Sequence, residues 1–308
     1  MLFRSQSGVP HKIMHRTGPI RAQDLPDADY VVATWWETAV WMQTFPVSKG
    51  AHVHLIQGYE VWGGPETANA VHAALRLPNI KITISHALAD TLRQAVGPLA
   101  LHVVPNAVDL QQFQAPERNR NTVPRVGFIY AHAAIKGSDI CIDAVNRARA
   151  QLGALDVLAF GTEMPDAALQ LPEGTQFTHC PAQSELRNLY AACDFWLFGS
   201  RMDSFGLPVL EAMACRTPVI AVPVGAAPSL IAQGGGVLVD YGSAASMADA
   251  IVRACRADSS YWQGLSDSAY RCAHGYSWAD AVQNFLLAVR GRESDQSLPA
   301  PAMASATA

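Results

Sequence analysis

Hydrophobic positions in the first half of the chain form short runs separated by longer amphipathic stretches. The runs are rich in β-branched residues and lie at 30–34, 52–57, 80–84 and 101–104. Between them, apolar residues recur at helical spacing near 37–44, 66–75 and 86–95. Short apolar runs bounded by turn residues predict buried strands, and their alternation with helices predicts βαβ units and a parallel sheet.

The same alternation begins again after a polar stretch. Residues 111–124 (QQFQAPERNRNTVP) lack periodicity and contain two prolines, which is typical of an interdomain linker. Beyond it we predict strands at 126–130, 156–160, 176–179, 195–198, 219–222 and 237–239, and helices at 138–150, 184–192, 207–214, 243–257, 261–274 and 278–290. The chain is therefore predicted to be an α/β protein with one domain at 1–112, a second at 123–290 and a disordered tail at 291–308.

Composition narrows the class of protein. Of the 308 residues, 50% are hydrophobic and 16% are charged, which is the balance of a packed globular protein. The net charge of -4 gives no broad field for nucleic acid, so we expect no polynucleotide partner. Since neither a secretory signal nor a membrane-spanning run is evident, a cytoplasmic location is predicted. The first 23 residues carry four cations and no acidic residue: Arg4, Lys12, Arg16 and Arg21. These cations would suit peripheral contact with an anionic inner membrane face; the alternative is that they form an ordinary solvated surface.

No metal site or bound cofactor is expected. The cysteines are scattered without a Cys-x-x-Cys pair, and the chain has no acidic cluster with the spacing of a magnesium site. The glycine run 234–236 precedes a predicted strand, which is the wrong order for a dinucleotide fingerprint, so it is interpreted as a turn.

Candidate chemistry lies in loops that follow predicted strands, because ligands of open α/β sheets bind beyond the carboxyl ends of the strands. The first such loop is 130–137 (YAHAAIKG), which places Lys136 at a predicted helix N-terminus. The helix dipole disfavours a cation there unless an anion binds between the lysine and the free amides. Lys136 is thus either a phosphate ligand or a solvated surface lysine.

The second loop is 200–214 (SRMDSFGLPVLEAMA). Pro208 suits the first turn of a helix, and Gly206 lets the backbone pass close to a ligand, so the amides at 205–207 are expected to be free to donate. Glu211 follows among apolar neighbours and needs partners, because an unpaired buried carboxylate is costly. The vicinal hydroxyls of a ribose would suit both oxygens of this carboxylate. The alternative is that Glu211 lies at the helix edge and faces water or an arginine.

These segments together resemble a known family. The run SRMDSFGLPVLEAMACRTPVIA, preceded by ELRNLYAACDFWLFGS and followed by VGAAPSLIAQGGGVLVD, is similar to the donor-binding signature of group 1 (family 4) glycosyltransferases. VGFIYAHAAIKGSD, VVPNAVDL and SWADAVQNF resemble further family segments in the same order, and DYVVATWWETA and HLIQGYEVWGG resemble a polysaccharide-associated branch. The resemblance implies the GT-B fold, in which two Rossmann-like domains face each other across a cleft.

The resemblance also implies roles for individual residues. Lys136 would bind the donor diphosphate and Glu211 the ribose hydroxyls, while Asp203 would bind the donor sugar together with the loop residues Ser204, Phe205, Gly206 and Leu207. Lys136 and Asp203 are the candidate catalytic residues. The implied reaction is a metal-independent transfer, with retention of configuration, from a UDP-, GDP- or dTDP-sugar to a hydroxyl of a glycan or lipid-linked acceptor.

Four positions depart from the family pattern. Asp203 stands where the family usually has the longer glutamate, and Ala131 stands where many members have a phosphate-binding arginine, for which His132 is a candidate replacement. Arg216 occupies a usual glycine position. Residues 1–27 lack the strand, glycine-rich loop and helix that open the family's N-terminal domain, so that domain is expected to be incomplete. These departures keep two alternatives open: a catalytically weak nucleotide-sugar-binding partner protein and a GT-B nucleotide-sugar epimerase.

Overall fold

The computed structural model describes residues 10–15 and 17–291, and within them the chain forms two parallel sheets. The first sheet contains β1 (Tyr30–Ala33), β2 (Ala51–Ile56), β3 (Ile80–Thr83) and β4 (His102–Val103), in that spatial order. Its strands are connected through α1 (Trp36–Trp41), α2 (Pro65–Leu75) and α3 (His86–Val96). All three strand pairs are parallel, as the βαβ pattern predicts.

The second sheet has six parallel strands in the order β10-β9-β8-β5-β6-β7. They are β5 (Arg125–Ile129), β6 (Asp156–Gly161), β7 (Gln176–His179), β8 (Phe195–Phe198), β9 (Val219–Ala221) and β10 (Gly236–Leu238). Its helices are α4 (Ser138–Leu152), α5 (Leu186–Ala191), α6 (Leu207–Ala214), α7 (Ala227–Ile231), α8 (Ala244–Arg256), α9 (Ser259–His274) and α10 (Trp278–Val289). The strand order reverses between β5 and β8, which creates a crevice at the carboxyl ends of these two strands.

The predicted strands are confirmed, each to within one residue at either end. Two helix predictions need correction. The predicted helix 37–44 is the shorter α1, which a 3₁₀ turn at Met42–Thr44 follows. The five-residue α7 was not predicted, because its short segment carries Pro228 and shows less than two turns of periodicity.

The last helix connects the two halves of the molecule. Ala288 and Val289 of α10 pack in a buried cluster with Val53, Ile82 and Val104 of the first half. The sequence groups residues 278–290 with the second domain, whereas α10 lies against the first sheet. The domain limits 1–112 and 123–290 themselves stay a prediction.

The predicted linker is anchored on the second sheet. Asp194 is fully buried and accepts hydrogen bonds from the backbone N–H groups of Asn121 (2.9 Å) and Arg125 (2.7 Å). Arg118 reaches the same carboxylate at 3.6 Å and donates to the carbonyl of Cys193. Polar residues of the segment therefore fasten it to the second domain.

No helix within residues 10–15 and 17–291 is long and apolar enough to cross a membrane. Arg4, Arg16 and the predicted disordered tail beyond Gly291 lie outside the described residues.

Candidate functional site

A cleft of about 740 Å³ lies between the two halves, where the strand-to-helix loops of both sheets meet. The second half contributes Ile135, Lys136, the loop from Arg201 to Pro208, and Pro223 to Gly225. The first half contributes Gln57, Tyr59, Trp62, Ile84, Ala87, Leu88, Thr91 and Asn106. Six of the seven predicted donor-binding residues line this cleft: Lys136, Asp203, Ser204, Phe205, Gly206 and Leu207.

A close backbone contact holds the two predicted loops together. Gly137, which follows Lys136, has a left-handed φ of 66°, and a Cβ added to it would lie 1.9 Å from the carbonyl oxygen of Gly199. Only glycine tolerates both the conformation and the approach. The Lys136 loop therefore packs directly on the end of β8, and Lys136 and Asp203 are brought together from 67 residues apart in sequence.

Asp203 makes two kinds of contact in the cleft. Its Oδ2 lies 3.3 Å from the Nζ of Lys136, while its Oδ1 accepts hydrogen bonds from the N–H groups of Phe205 (3.1 Å) and Gly206 (2.7 Å). An aspartate that binds backbone amides two and three residues ahead forms an Asx turn. The prediction that these two amides are free is therefore wrong, whereas the N–H of Leu207 has no acceptor among the described residues.

Arg201 is a cleft residue that the sequence did not single out. Its guanidinium binds both carboxylate oxygens of Asp139 (2.8 and 2.5 Å) and the carbonyl of Ala134 (2.7 Å). The guanidinium lowers the pKa of the Asp139 carboxyl, and the carboxylate raises the pKa of Arg201. The sequence signal that could have identified Arg201 as a cleft residue is its position two residues before Asp203. It adds a second cation to the wall that Lys136 lines.

His132 does not line the cleft. Its Nε2 lies 3.0 Å from the hydroxyl of Tyr130 and 3.5 Å from the Oδ2 of Asp166, and its backbone N–H donates to Glu163. Acidic partners disfavour an anion at this ring. The structure therefore places His132 in a polar cluster beside β6, away from the position that a replacement phosphate ligand would need.

Glu211 lies one helical turn further along α6 than the residues lining the cleft. Its Oε2 accepts a 2.7 Å hydrogen bond from the hydroxyl of Tyr190, a fully buried side chain that packs edge-on against Trp196. Burial raises the pKa of Glu211, and the hydrogen bond from Tyr190 opposes that shift. The second carboxylate oxygen has no hydrogen-bond partner within the described part of the chain.

The structure accounts for Arg216 at a position where the family has glycine. Its φ of 58° is in the left-handed region, which a non-glycine residue adopts at a cost. Three contacts hold the side chain: the guanidinium lies 4.0 Å from the ring centroid of Tyr270, 2.9 Å from the Oδ1 of Asp267 and 3.3 Å from the Oε1 of Glu117. These contacts offset the strain and fasten the end of α6 to α9.

The described residues contain no group of three histidine, cysteine or acidic side chains placed to hold a metal ion. The cleft offers instead one exposed lysine, one paired arginine and a carboxylate shared with backbone amides.

Comparisons with known proteins show which class of protein this chain resembles. Residues 121–257 match the family model for glycosyl transferases group 1. The chain is 31% identical over 234 residues to D-inositol 3-phosphate glycosyltransferase 1 of Catenulispora acidiphila, an alignment that covers 66% of this chain and 54% of that protein. The enzyme of the same name from Mycolicibacterium smegmatis is 32% identical over 183 residues, covering 55% and 41%. The chain thus spans about half the length of these curated relatives.

Solved structures agree on the fold. Sucrose-phosphate synthase from Thermosynechococcus elongatus superimposes with a TM-score of 0.71 at 22% identity, covering 85% of this chain and 73% of that one. HepE from Anabaena, in complex with UDP and glucose, gives a TM-score of 0.71 at 20% identity, covering 85% and 78%. The protein is therefore an α/β protein of the GT-B class, as predicted. Within that class, residues 121–257 are similar to the group 1 glycosyltransferase family.

Proposed function

We propose that this chain transfers a sugar from a nucleotide-diphosphate sugar to a hydroxyl group of a glycan or lipid-linked acceptor. The observation that carries the proposal is the meeting of Lys136 with the loop from Asp203 to Leu207 in one interdomain cleft. Clefts between domains are preferred ligand sites. The names of the curated relatives support the reaction class, and HepE crystallised with UDP makes UDP the first nucleotide to test.

Lys136 is proposed to bind the donor diphosphate. Its ammonium is half-exposed and pairs with a single carboxylate, so an incoming phosphate can replace Asp203 at its Nζ. The unpaired N–H of Leu207, at the N-terminus of α6, offers a second donor on the same wall. Arg201 adds a positive charge to the same wall, although its guanidinium is already hydrogen-bonded to both carboxylate oxygens of Asp139.

The donor sugar is proposed to bind Asp203 and the loop residues Ser204, Phe205, Gly206 and Leu207. The Asx turn fixes the carboxylate against the loop, so its position toward a sugar is preorganised. Glu211 is proposed to bind the ribose hydroxyls with its open oxygen, while Tyr190 holds the other.

In the proposed reaction Lys136 and the N–H of Leu207 stabilise the charge that develops on the leaving diphosphate. Donors fixed in place before the reaction lower the barrier electrostatically, and this needs no metal ion. The departing phosphate oxygen takes the proton of the acceptor hydroxyl, and the new bond keeps the donor's anomeric configuration. We further propose a role in polysaccharide synthesis in the cytoplasm, with peripheral contact at the inner membrane face.

A thermal-shift screen tests the donor part of the proposal. UDP-, GDP- and dTDP-sugars are added in the presence of EDTA, and one nucleotide class is expected to raise the melting temperature because it binds only the folded state. Transfer to an acceptor, followed by NMR of the product anomer, tests catalysis and retention. Release of a free epimerised nucleotide sugar, or dependence on magnesium, would contradict the proposed reaction.

A further inference from the structure

Two exposed tryptophans stack on each other at the edge of the cleft, and one of them, Trp62, lines its first-half wall. Trp35 follows β1 and Trp62 lies in the loop after β2, and their ring centroids are 5.9 Å apart with planes 25° from parallel. Trp62 is 63% exposed and Trp35 is 37% exposed. Large apolar surface left open beside a ligand cleft marks a recognition surface more often than a packing defect.

Hydrogen bonds hold this pair in place. The indole N–H of Trp35 donates to Glu37 at 3.1 Å, and the backbone N–H of Trp35 donates to the hydroxyl of Thr38 at 3.2 Å. The loop that carries Trp62 is fastened by buried Glu60, whose Oε2 accepts the N–H of Trp36 at 3.0 Å. A surface fixed before the ligand arrives binds at a smaller entropic cost.

The pair lies directly beside the donor loop. A Cβ added to Gly58 would lie 3.7 Å from the Cη2 of Trp62 and 3.4 Å from the Oγ of Ser204, so one residue's width separates the indole from that loop. The hydroxyl of Ser85 donates to the carbonyl of Ser204 at 2.6 Å and joins the two walls at this point. A ligand stacked on Trp62 is therefore next to the proposed donor-sugar position.

The charge of this wall restricts the ligand. The first-half residues that line the cleft are all uncharged: Gln57, Tyr59, Trp62, Ile84, Ala87, Leu88, Thr91 and Asn106. A charged group that hydrogen-bonds to the tryptophan pair is the carboxylate of Glu37, which accepts the indole N–H of Trp35. A phosphorylated acceptor would need a cation here, because burying an unpaired phosphate is costly and a nearby carboxylate repels it. The curated relatives, by contrast, are named for inositol 3-phosphate.

We propose that Trp35 and Trp62 form the acceptor subsite and that they seat a neutral sugar ring by stacking, not a phosphorylated polyol. This inference rests on the proposed function, since it places the acceptor beside the donor loop. An indole offers a flat apolar face to the C–H side of a pyranose, while the hydroxyls at the ring edge stay hydrated or reach Gln57 and Thr91.

The test is saturation-transfer NMR with neutral disaccharides (cellobiose, lactose, maltose and chitobiose) added to the full chain with and without UDP. At least one is expected to bind, and Trp62→Ala should weaken its affinity roughly tenfold or more, as loss of a tryptophan anchor does. Trp62→Phe should retain most of the affinity. Trp278→Ala is the matched control, because Trp278 is 54% exposed on α10 and does not line the cleft.

Calorimetry with UDP on the same variants separates this inference from the proposed function. If Trp62→Ala loses disaccharide binding but keeps its UDP affinity, the result supports the acceptor subsite. If the wild type binds disaccharides at Trp62 but binds no nucleotide, the result contradicts the proposed function and leaves the acceptor subsite standing. The inference is overturned if no neutral disaccharide binds, if Trp62→Ala binds as the wild type does, or if inositol 3-phosphate competes for the same surface.

Discussion

The two walls of the cleft present different chemical groups to a ligand. The second-half wall depends on backbone: a glycine contact between the loops that follow β5 and β8, an Asx turn and the N-terminal end of α6. The first-half wall depends on exposed side chains, with Trp62 at its centre. We propose that Lys136 and the open N–H of Leu207 suit the diphosphate of a nucleotide-sugar donor, whereas the side chains of the first-half wall suit an acceptor. The proposed division places donor binding on one wall and acceptor specificity on the other.

The interiors behind the walls differ as well. In the second half, buried Asp194 is fully engaged by backbone and side-chain donors. In the first half, buried His54 Nδ1, Thr83 Oγ1 and Asn79 Nδ2 have no hydrogen-bond partner among the described residues, and in the second half the same holds for the Nε atoms of three arginines: Arg118, Arg125 and Arg216. Each of these arginines donates through another guanidinium nitrogen, whereas His54 and Thr83 make no side-chain hydrogen bond within the described part of the chain. Unsatisfied buried polar groups lower stability. We therefore expect the half that is proposed to bind the donor to be the more stable one.

The largest effect is expected from breaking the buried network of the second half. Asp194→Ala leaves the guanidinium of Arg118 without its carboxylate in a site where burial already lowers the pKa of that arginine. Removing one partner of a buried ion pair costs about 3 to 5 kcal/mol of unfolding free energy. Urea titration measures it, with Asp143→Ala, an exposed partner of Arg147, as the control. A loss no larger than the control's would contradict the comparison.

Acid should weaken the first half through His54. Burial and the neighbouring Lys81 lower the pKa of His54 from 6.5 to about 4, so the unfolded chain binds this proton first. The stability contribution is present above pH 6.5 and is lost as the pH falls toward 4, by about 3 kcal/mol in all.

His54→Leu removes this contribution, so its unfolding free energy should fall less between pH 7 and pH 4.5 than that of the wild type. Burial raises the pKa of Glu60, which acts in the opposite sense in both proteins and therefore cancels in the difference. Parallel pH profiles for the two proteins would show that His54 is not the sensitive group.

Glu211→Gln tests the second-half wall at the proposed ribose site. The substitution keeps the acceptor for Tyr190 but removes the charge, and a lost charged hydrogen bond weakens binding by about 1.5 to 3 kcal/mol. Calorimetry with plain nucleoside diphosphate measures the affinity. Glu66→Gln, on α2 and away from the cleft, is the matched control. Equal affinity for both variants and the wild type would leave Glu211 with a structural role.

The smallest change in affinity is expected for Asp203→Asn. The amide oxygen can still accept the Phe205 and Gly206 N–H groups, so the loop should persist and nucleoside diphosphate should bind within about 0.5 kcal/mol of the wild type. Turnover should fall at least tenfold, because the lost charge acts on the transferred sugar in the transition state. Full turnover in Asp203→Asn would contradict its catalytic role.

The sequence predicted the strands and the loop pair because both depend on local signals. Apolar runs mark the strands, and the Lys136-Gly137 and Gly206-Leu207-Pro208 patterns mark the two candidate binding loops. It did not predict that Asp203 would occupy the Phe205 and Gly206 amides, since that depends on a side-chain torsion. The packing of α10 on the first sheet and the position of Trp62 beside the Ser204 loop depend on long-range geometry, which no local pattern carries.

Lys136 is proposed to bind the donor diphosphate without a metal ion. The direct measurement is calorimetric titration of UDP, GDP and dTDP into the wild type, Lys136→Ala and the control Arg147→Ala, all in EDTA. We expect the wild type and the control to bind one of these nucleotides equally, and Lys136→Ala to lose about 1.5 to 3 kcal/mol of affinity. Unchanged affinity in Lys136→Ala, or binding that appears only with magnesium, would contradict the claim.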